Sequence, residues 1–241
     1  MRLAKEGIRE MLIATVVLGA AAVGLWLWIP LLAAIPLVIW IWAISFFRDP
    51  KREGRFAAGE MCAPADGTVS EVTALDHHEM IGGPAWRVGI FLSIFNVHIN
   101  RAPCAGTVRT VTYKPGEFLD ARHPESGARN EANTLLIEPD APHAGPIVVR
   151  QVAGLIARRI ICHARPNMRL ARGQRFGMIK FGSRTELILP AGPDVDITVK
   201  PGDAVRAGLT VLVRRKRAGV PGDPEAQVHE SDSRRAIAEA T

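Results

Sequence analysis

The sequence predicts a mostly β protein, a sandwich or partly open barrel of two related β-units, preceded by an N-terminal hydrophobic helical hairpin. Three observations carry this. Residues 11–47 contain no charged side chain. From residue 62 onward, short runs of β-forming residues alternate with Gly and Pro, the texture of strands and tight turns. Two segments, APADGTVSEV (63–72) and APCAGTVRTV (102–111), agree at six of ten positions at an offset of 39.

The apolar stretch reads MLIATVVLGAAAVGLWLWI, then Pro30, then LLAAIPLVIWIWAISFF. One continuous helix would run about 55 Å, against a hydrocarbon core of about 30 Å. Pro30 and Pro36 interrupt it, because proline lacks a donor and clashes with the preceding turn. Two short passes joined near Pro30 fit better, and both a crossing and a re-entrant hairpin satisfy that pattern. Both flanks are basic: Arg2, Lys5 and Arg9 before it, Arg48, Lys51, Arg52 and Arg55 after it. A hairpin places both flanks on one side, and the positive-inside rule makes that side cytoplasmic. Trp26, Trp28, Trp40 and Trp42 are the interface-seeking rings. The stretch is too long for a signal-peptide core and no A-x-A-like site follows.

The expected strands are 86–94, 106–113, 134–138, 146–154, 176–181 and 185–190, with a strand–turn–strand over 194–212 whose turn is PGD. No long amphipathic helix pattern occurs. The expected divisions are a basic N-terminus (1–10), the membrane hairpin (11–47), a basic linker (48–61), a β domain (62–213) and a basic, disordered tail (214–241). The RRKR run at 214–217 suits anionic lipid, at about 1 kcal/mol per residue near such a surface; a solvated charge run reads equally well.

The chain of 241 residues, net charge +6, holds three dispersed cysteines, Cys62, Cys104 and Cys162. They make neither a disulfide framework nor a zinc knuckle, and read as small buried packing residues. No P-loop and no G-x-G-x-x-G appears. Neither a metal nor a nucleic-acid partner is expected.

Three local features carry chemistry: Asp66 in PADG, His98 in FNVHINRAP and Ser183 in KFGSR. Alone, each has an ordinary explanation: a turn aspartate, a structural histidine, a loop serine. Together they supply a nucleophile, a base and an orienting carboxylate. The GxSxG elbow of the α/β-hydrolases is absent.

GMIKFGSR (177–184) followed by TELILP resembles the self-cleavage segment of the phosphatidylserine decarboxylase family. FLSIFNVHINRAPCAG (91–106) is similar to its histidine segment and PADGTV (64–69) to its aspartate segment. GEFLDAR (116–122), ARNEAN (128–133) and QVAGLIARRI (151–160) also match, in order. The resemblance spans about residues 50–212, and the hairpin ahead of it resembles the short membrane-associated branch.

The resemblance implies that Asp66 orients His98 and that His98 activates the Ser183 hydroxyl. The hydroxyl then attacks the Gly182 carbonyl. Elimination from the resulting ester would leave a covalent pyruvoyl group at the start of fragment 183–241, paired with fragment 1–182 as a heterodimer. Glycine at 182 suits a strained backbone. The implied substrate is phosphatidylserine, converted to phosphatidylethanolamine at the cytoplasmic membrane face, with the pyruvoyl ketone as electron sink. His98 would return the proton, since histidine titrates near neutrality. One departure stands out. Many relatives carry a second histidine three residues on, where this chain has Arg101. His98 then serves both steps, or another group takes one; His123 and His163 are weak candidates. Arg101, Arg158, Arg159 and Lys180 are candidates for holding the lipid phosphate or the serine carboxylate.

Two other function classes fit parts of the sequence. One is a membrane-tethered serine hydrolase using Asp66, His98 and Ser183. The other is a carrier module of the biotinyl or lipoyl type, with Lys180 as the attachment site.

Overall fold

The computed structural model describes residues 2–121, 123, 125–143, 145–155, 159–180 and 182–215. The expected tail lies outside these residues from 216 onward, as does Arg158.

The N-terminal part is a helical hairpin. A short strand β1 (Arg2–Leu3) leads through one 3-10 turn into α1 (Ile8–Trp28), and a second 3-10 turn at Pro30–Ala33 leads into α2 (Ala34–Phe46). The chain then pairs back on β1 through β2 (Arg48–Asp49), with Leu3 opposite Arg48. Both feet of the hairpin therefore lie together, as the flanking charges predict. Pro30 marks the turn, but Pro36 does not interrupt a helix. It lies in the first turn of α2, where its missing N–H has no partner to lose. α1, with the turn before it, is long and apolar enough to cross a membrane; the second leg is shorter. Leu12, Val16, Val23, Leu27, Leu31 and Val38 stand exposed along the legs. Trp40 Nε1 donates to Thr15 Oγ1 across the legs (2.9 Å).

The rest of the described chain is almost all strand. In order it runs β3 (Glu60–Cys62), β4 (Gly67–His78), β5 (Gly83–Leu92), β6 (Ile99–Arg101), β7 (Gly106–Lys114), a single helical turn α3 (Ser126–Arg129), β8 (Ala132–Pro139), β9 (Ile147–Val152), β10 (Arg159–Cys162), β11 (Arg169–Leu170), β12 (Arg175–Lys180), β13 (Ser183–Pro190), β14 (Val195–Ile197), β15 (Ala204–Val205) and β16 (Val211–Arg215). Every strand expected from sequence is present. Of the others, β4 is long and is marked in the sequence only by the first copy of the echo, GTVSEV; the rest, β6, β10 and β11 among them, have four residues or fewer, too few for an alternating pattern to register.

Eight strands form one curled sheet in the order β11-β7-β8-β9-β13-β5-β4-β15. Two three-stranded sheets, β10-β12-β6 and β14-β16-β3, accompany it. They close over its inner face, so Met61, Phe176, Leu212 and Val213 share one core with Ile90, Val108, Leu135, Val149 and Leu187.

The order of strands reveals what the 39-residue echo encodes. β3, β4 and β5 correspond to β6, β7 and β8, and β13 to β16 correspond to β9 to β12. The hydrogen bonds repeat with the strands. Arg101 N–H donates to Pro64 O while Cys62 N–H donates to Pro103 O, each pair displaced by 39. Gly208 N–H reaches Ala63 O as Gly173 N–H reaches Ala102 O. The second half of the repeat is also in the sequence, PGDAVRAG (201–208) against PNMRLARG (166–173). Gly202 and Asn167 occupy its matching left-handed turn positions, at φ 96° and 66°. These are two related β-units, and the second (β6–β12) is inserted whole between β5 and β13 of the first. The chain crosses between units twice, at 93–98 and between Lys180 and Gly182, and β6 pairs with β12 beside both crossings.

Candidate active site

His98 and the Gly182–Ser183 pair lie at those two crossings. The turn after β5 is locked by Asn96 Oδ1, which accepts from Ser93 N (2.9 Å) and Ser93 Oγ (2.8 Å). That leaves the Asn96 carbonyl 3.0 Å from His98 Nδ1. On the other side of the ring, Gly182 N–H donates to His98 Nε2 at 3.3 Å. A carbonyl facing Nδ1 and an N–H facing Nε2 are both satisfied only by the neutral ring protonated at Nδ1. The ring is fully buried. It stacks on Phe46, with centroids 4.2 Å apart and planes inclined by 36°. Burial pushes its pKa down to about 4; the Asn96 carbonyl pulls upward and the Arg48 charge downward. The expectation of a near-neutral pKa is therefore corrected: the unfavourable solvation of a buried imidazolium outweighs its hydrogen bond.

Gly182 has φ +60°, the left-handed region that costs an ordinary residue about 1–2 kcal/mol. Ser183 opens β13, paired with Leu92 of β5. Its side chain is fully buried, and Oγ has no hydrogen-bond partner among the described residues. A buried hydroxyl left unpaired is unusual and calls for an explanation. From the far side, the loop after β9 presses its backbone on Gly182: a Cβ on Gly154 would lie 2.3 Å from the Gly182 carbonyl oxygen. Gly182 lines a cavity of about 320 Å³ shared with Phe91, Ser93, Ile94, Asp120, Ala121 and Leu155.

A chain of buried polar side chains connects the strands that carry the site. Asn100 Nδ2 donates to Thr185 Oγ1 (3.0 Å), Gln151 Nε2 to Asn100 Oδ1 (2.9 Å) and Asn133 Nδ2 to Gln151 Oε1 (3.1 Å). Asn100 is two residues beyond His98, and Thr185 two beyond Ser183. Sequence reading missed this network and Gly154. NEAN and QVAG show the residue types, but nothing local shows that they meet.

The structure does not bring Asp66 to His98. The Asp66 carboxylate accepts from Arg52 Nη2 (2.7 Å) and from the Ala207 N–H (2.8 Å). Both nitrogens of His98 have other partners, and the orienting acceptor is the Asn96 carbonyl. Arg101 and Lys180 are absent from the cavity lining and are held by acids at the hairpin's foot. Arg101 donates to Asp49 (2.7 Å), Pro50 O and Gly173 O. Lys180 donates to Glu10 (2.6 Å) and to the Glu6 carbonyl (2.8 Å). Glu6 also meets Arg175 and, at 2.6 Å, His163. This ion cluster fastens α1 to β12. His123 is an exposed turn residue and Arg159 is exposed on β10.

Comparison with known proteins identifies the family. The sequence profile of the family described as phosphatidylserine decarboxylase matches residues 40–213. A phosphatidylserine decarboxylase proenzyme of Magnetococcus marinus is 40% identical over 217 residues, covering 88% of this chain and 95% of that protein. The proenzyme of Trichlorobacter lovleyi is 45% identical over 182 residues, covering 76% and 80%. That of Rhodopirellula baltica is 43% identical over 214 residues, covering 87% of each. On the extent of these matches, the chain belongs to the phosphatidylserine decarboxylase family.

Proposed function

We propose that the chain is made as a precursor that cuts itself between Gly182 and Ser183, and that the product decarboxylates phosphatidylserine to phosphatidylethanolamine at the cytoplasmic face of the cell membrane. The observation that carries this reading is the conjunction of three features: a buried, unpaired Ser183 hydroxyl, a left-handed Gly182, and a neutral His98 whose Nε2 faces the Gly182 N–H. The relatives' printed name, proenzyme, supports it.

In this reading His98 takes the Ser183 hydroxyl proton as Oγ attacks the Gly182 carbonyl carbon, and the proton passes to the leaving nitrogen. Loss of the Ser183 α-proton then expels the Gly182 carboxylate. Addition of water and release of ammonia leave a ketone at position 183. The residues present fit such a group. It forms on the first residue of β13, next to the cavity that Gly182 lines. The pyruvoyl carbonyl supplies the sink for the electron pair left when CO2 departs. Around it, Phe91 and Ile94 line the cavity with apolar surface, and His98 carries the proton that the carbon losing CO2 must gain. Fragments 1–182 and 183–241 stay paired as a heterodimer, because β13 sits between β5 and β9, β15 on β4, and β16 on β3. Asp66 helps hold them, through its bond to the Ala207 N–H. Arg101 and Lys180 act in this reading by fixing the hairpin rather than by binding lipid phosphate.

The active centre stands at the membrane because His98 rests on Phe46, the last residue of α2. Residues Phe46, Phe47, Val97, Ile99 and Met178 form one cluster joining hairpin and domain. The other function classes fit less well. A fully buried Ser183 hydroxyl meets a neighbouring peptide bond, not an external ester. Lys180, 5% exposed and bonded to Glu10, is no carrier attachment point.

A denaturing gel with mass spectrometry on the purified protein tests the reading. Two fragments are expected, 1–182 and 183–241, the smaller without a free amino terminus and reducible by borohydride in the presence of phosphatidylserine. Ser183→Ala gives one inactive chain. A wild-type chain that decarboxylates while uncut would overturn the mechanism.

A further inference from the structure

Large apolar side chains in solvent are confined, after residue 50, to four among the described residues: Phe95, Tyr113, Leu155 and Leu209. Two of them flank one opening. Leu155, 60% exposed, lines the Gly182 cavity directly; Phe95, 68% exposed, follows Ile94, which lines it from the other side. The Phe95 loop is also tied to the hairpin. Arg48, at the foot of α2, donates from Nη2 to the Phe95 carbonyl at 2.6 Å. An exposed phenyl ring at the level where an apolar hairpin ends continues the surface that the hairpin already offers to lipid. The basic residues Arg48 and Lys51 follow directly after α2, and cations at the end of an apolar leg suit phospholipid phosphates.

We propose that Phe95 and Leu155 form an apolar rim that dips into the bilayer, so that the cavity takes its substrate from the membrane plane without the lipid passing through water. The occupant of the rim is the upper acyl and glycerol region of the leaflet that holds the hairpin. The inference rests on the decarboxylase reading for its substrate, but it concerns surface residues that the self-cleavage chemistry does not use. Ile94 and Leu155 then meet the glycerol end of the lipid while the serine headgroup reaches past Ser93 and Asp120 toward Gly182.

The test compares Phe95→Ser with wild-type processed enzyme on two substrates. One is short-chain phosphatidylserine held below its micelle concentration; the other is phosphatidylserine in sealed phosphatidylcholine vesicles. The rim predicts unchanged kcat/KM on the monomeric lipid. On vesicles KM rises about tenfold at constant kcat, since one phenyl ring no longer leaves water. Phe95→Trp restores the wild-type value. An unchanged vesicle KM for Phe95→Ser overturns the proposal. A second measurement does not depend on activity. Leu155→Cys in a Ser183→Ala, Cys162→Ser background, labelled with a polarity-sensitive dye, shifts to the blue on adding the same vesicles. Emission that stays put overturns the rim, whereas a shift here, together with a wild-type protein that decarboxylates neither lipid, upholds the rim and removes the decarboxylase reading instead.

Discussion

The imidazole of His98 rests on the phenyl ring of Phe46, 4.2 Å between centroids, and so a residue of the apolar hairpin forms one wall of the candidate base. Phe46 is 1% exposed and His98 is fully buried. The ring both excludes water and keeps the imidazole in the orientation set by Asn96. Phe46→Leu retains most of the volume and loses the flat wall. The expected result is a processing half-time lengthened about tenfold, the scale of a misplaced general base. Thermal stability falls modestly, as volume-conserving core changes do. Timed gels after synthesis, with a melting curve on the uncut Ser183→Ala background, separate the two effects.

The depressed pKa of His98 sets a pH profile. An ordinary histidine base would lose half its activity near pH 6.5. With its pKa at about 4, His98 stays neutral, and self-cleavage is expected to be flat from about pH 8 to about pH 5, falling only as the pH drops through about 4. Stability follows the opposite constraint. His143 is also lowered to about 4, by burial first and then by Arg172 and Arg215. Between about 4 and 6.5 the unfolded chain binds protons that the folded chain refuses. The contribution of both residues is complete above 6.5 and is lost as the pH falls toward 4. Melting temperatures of Ser183→Ala at about pH 7 and pH 5 measure the total, and adding His143→Asn removes part of the difference. A cleavage rate that halves near pH 6.5 would contradict the buried, neutral ring.

Gly154 accounts for the position of the scissile carbonyl. A methyl group there would lie 2.3 Å from Gly182 O and 3.3 Å from the Ala121 side chain, so Gly154→Ala must move the Gly182 peptide. Displacing a reacting carbonyl by about 1 Å costs on the order of 100-fold in rate. Little of the fold depends on this contact, which lies in a loop after β9. Gly154→Ala is expected to accumulate as folded, uncut chain with near-normal melting. Mass spectrometry over hours reads the cleavage, and circular dichroism the fold.

How much of this was legible in the sequence depends on the range of the interaction. Local patterns gave the long strands, the hairpin turn at Pro30, and the Gly-Ser and His positions, because alternation, proline and glycine act within a few residues. The 39-residue echo announced two units. It did not announce that one is inserted in the other, since that depends on β5 leading away and β13 returning 90 residues later in sequence. Asp66 illustrates the same limit. Its position in PADG marks a turn, but its partner Ala207 is 141 residues away, and nothing near Asp66 distinguishes that contact from one with His98. Lys180 and Arg101 read as anion ligands because the acids that hold them, Glu10 and Asp49, belong to segments that read as a basic N-terminus and a basic linker.

The buried network behind the site gives the last prediction. Asn100 Nδ2 has Thr185 Oγ1 as its acceptor at 3.0 Å, which ties β6, just after His98, to β13, just after Ser183. Thr185→Val keeps shape and volume but removes the acceptor, leaving a buried amide donor unpaired at about 1–3 kcal/mol. Thr185→Ser keeps the acceptor and loses a methyl group. If the bond serves only stability, both variants process at the wild-type rate once folded. If it holds the two crossings in register, Thr185→Val cleaves about tenfold more slowly at a temperature where it is fully folded, while Thr185→Ser cleaves normally. Gln151→Leu should act in the same direction, because Gln151 fixes the other end of the Asn100 amide at 2.9 Å. The rescue by serine distinguishes positioning from packing: it returns the hydroxyl without the volume, and only the positioning role responds to the hydroxyl.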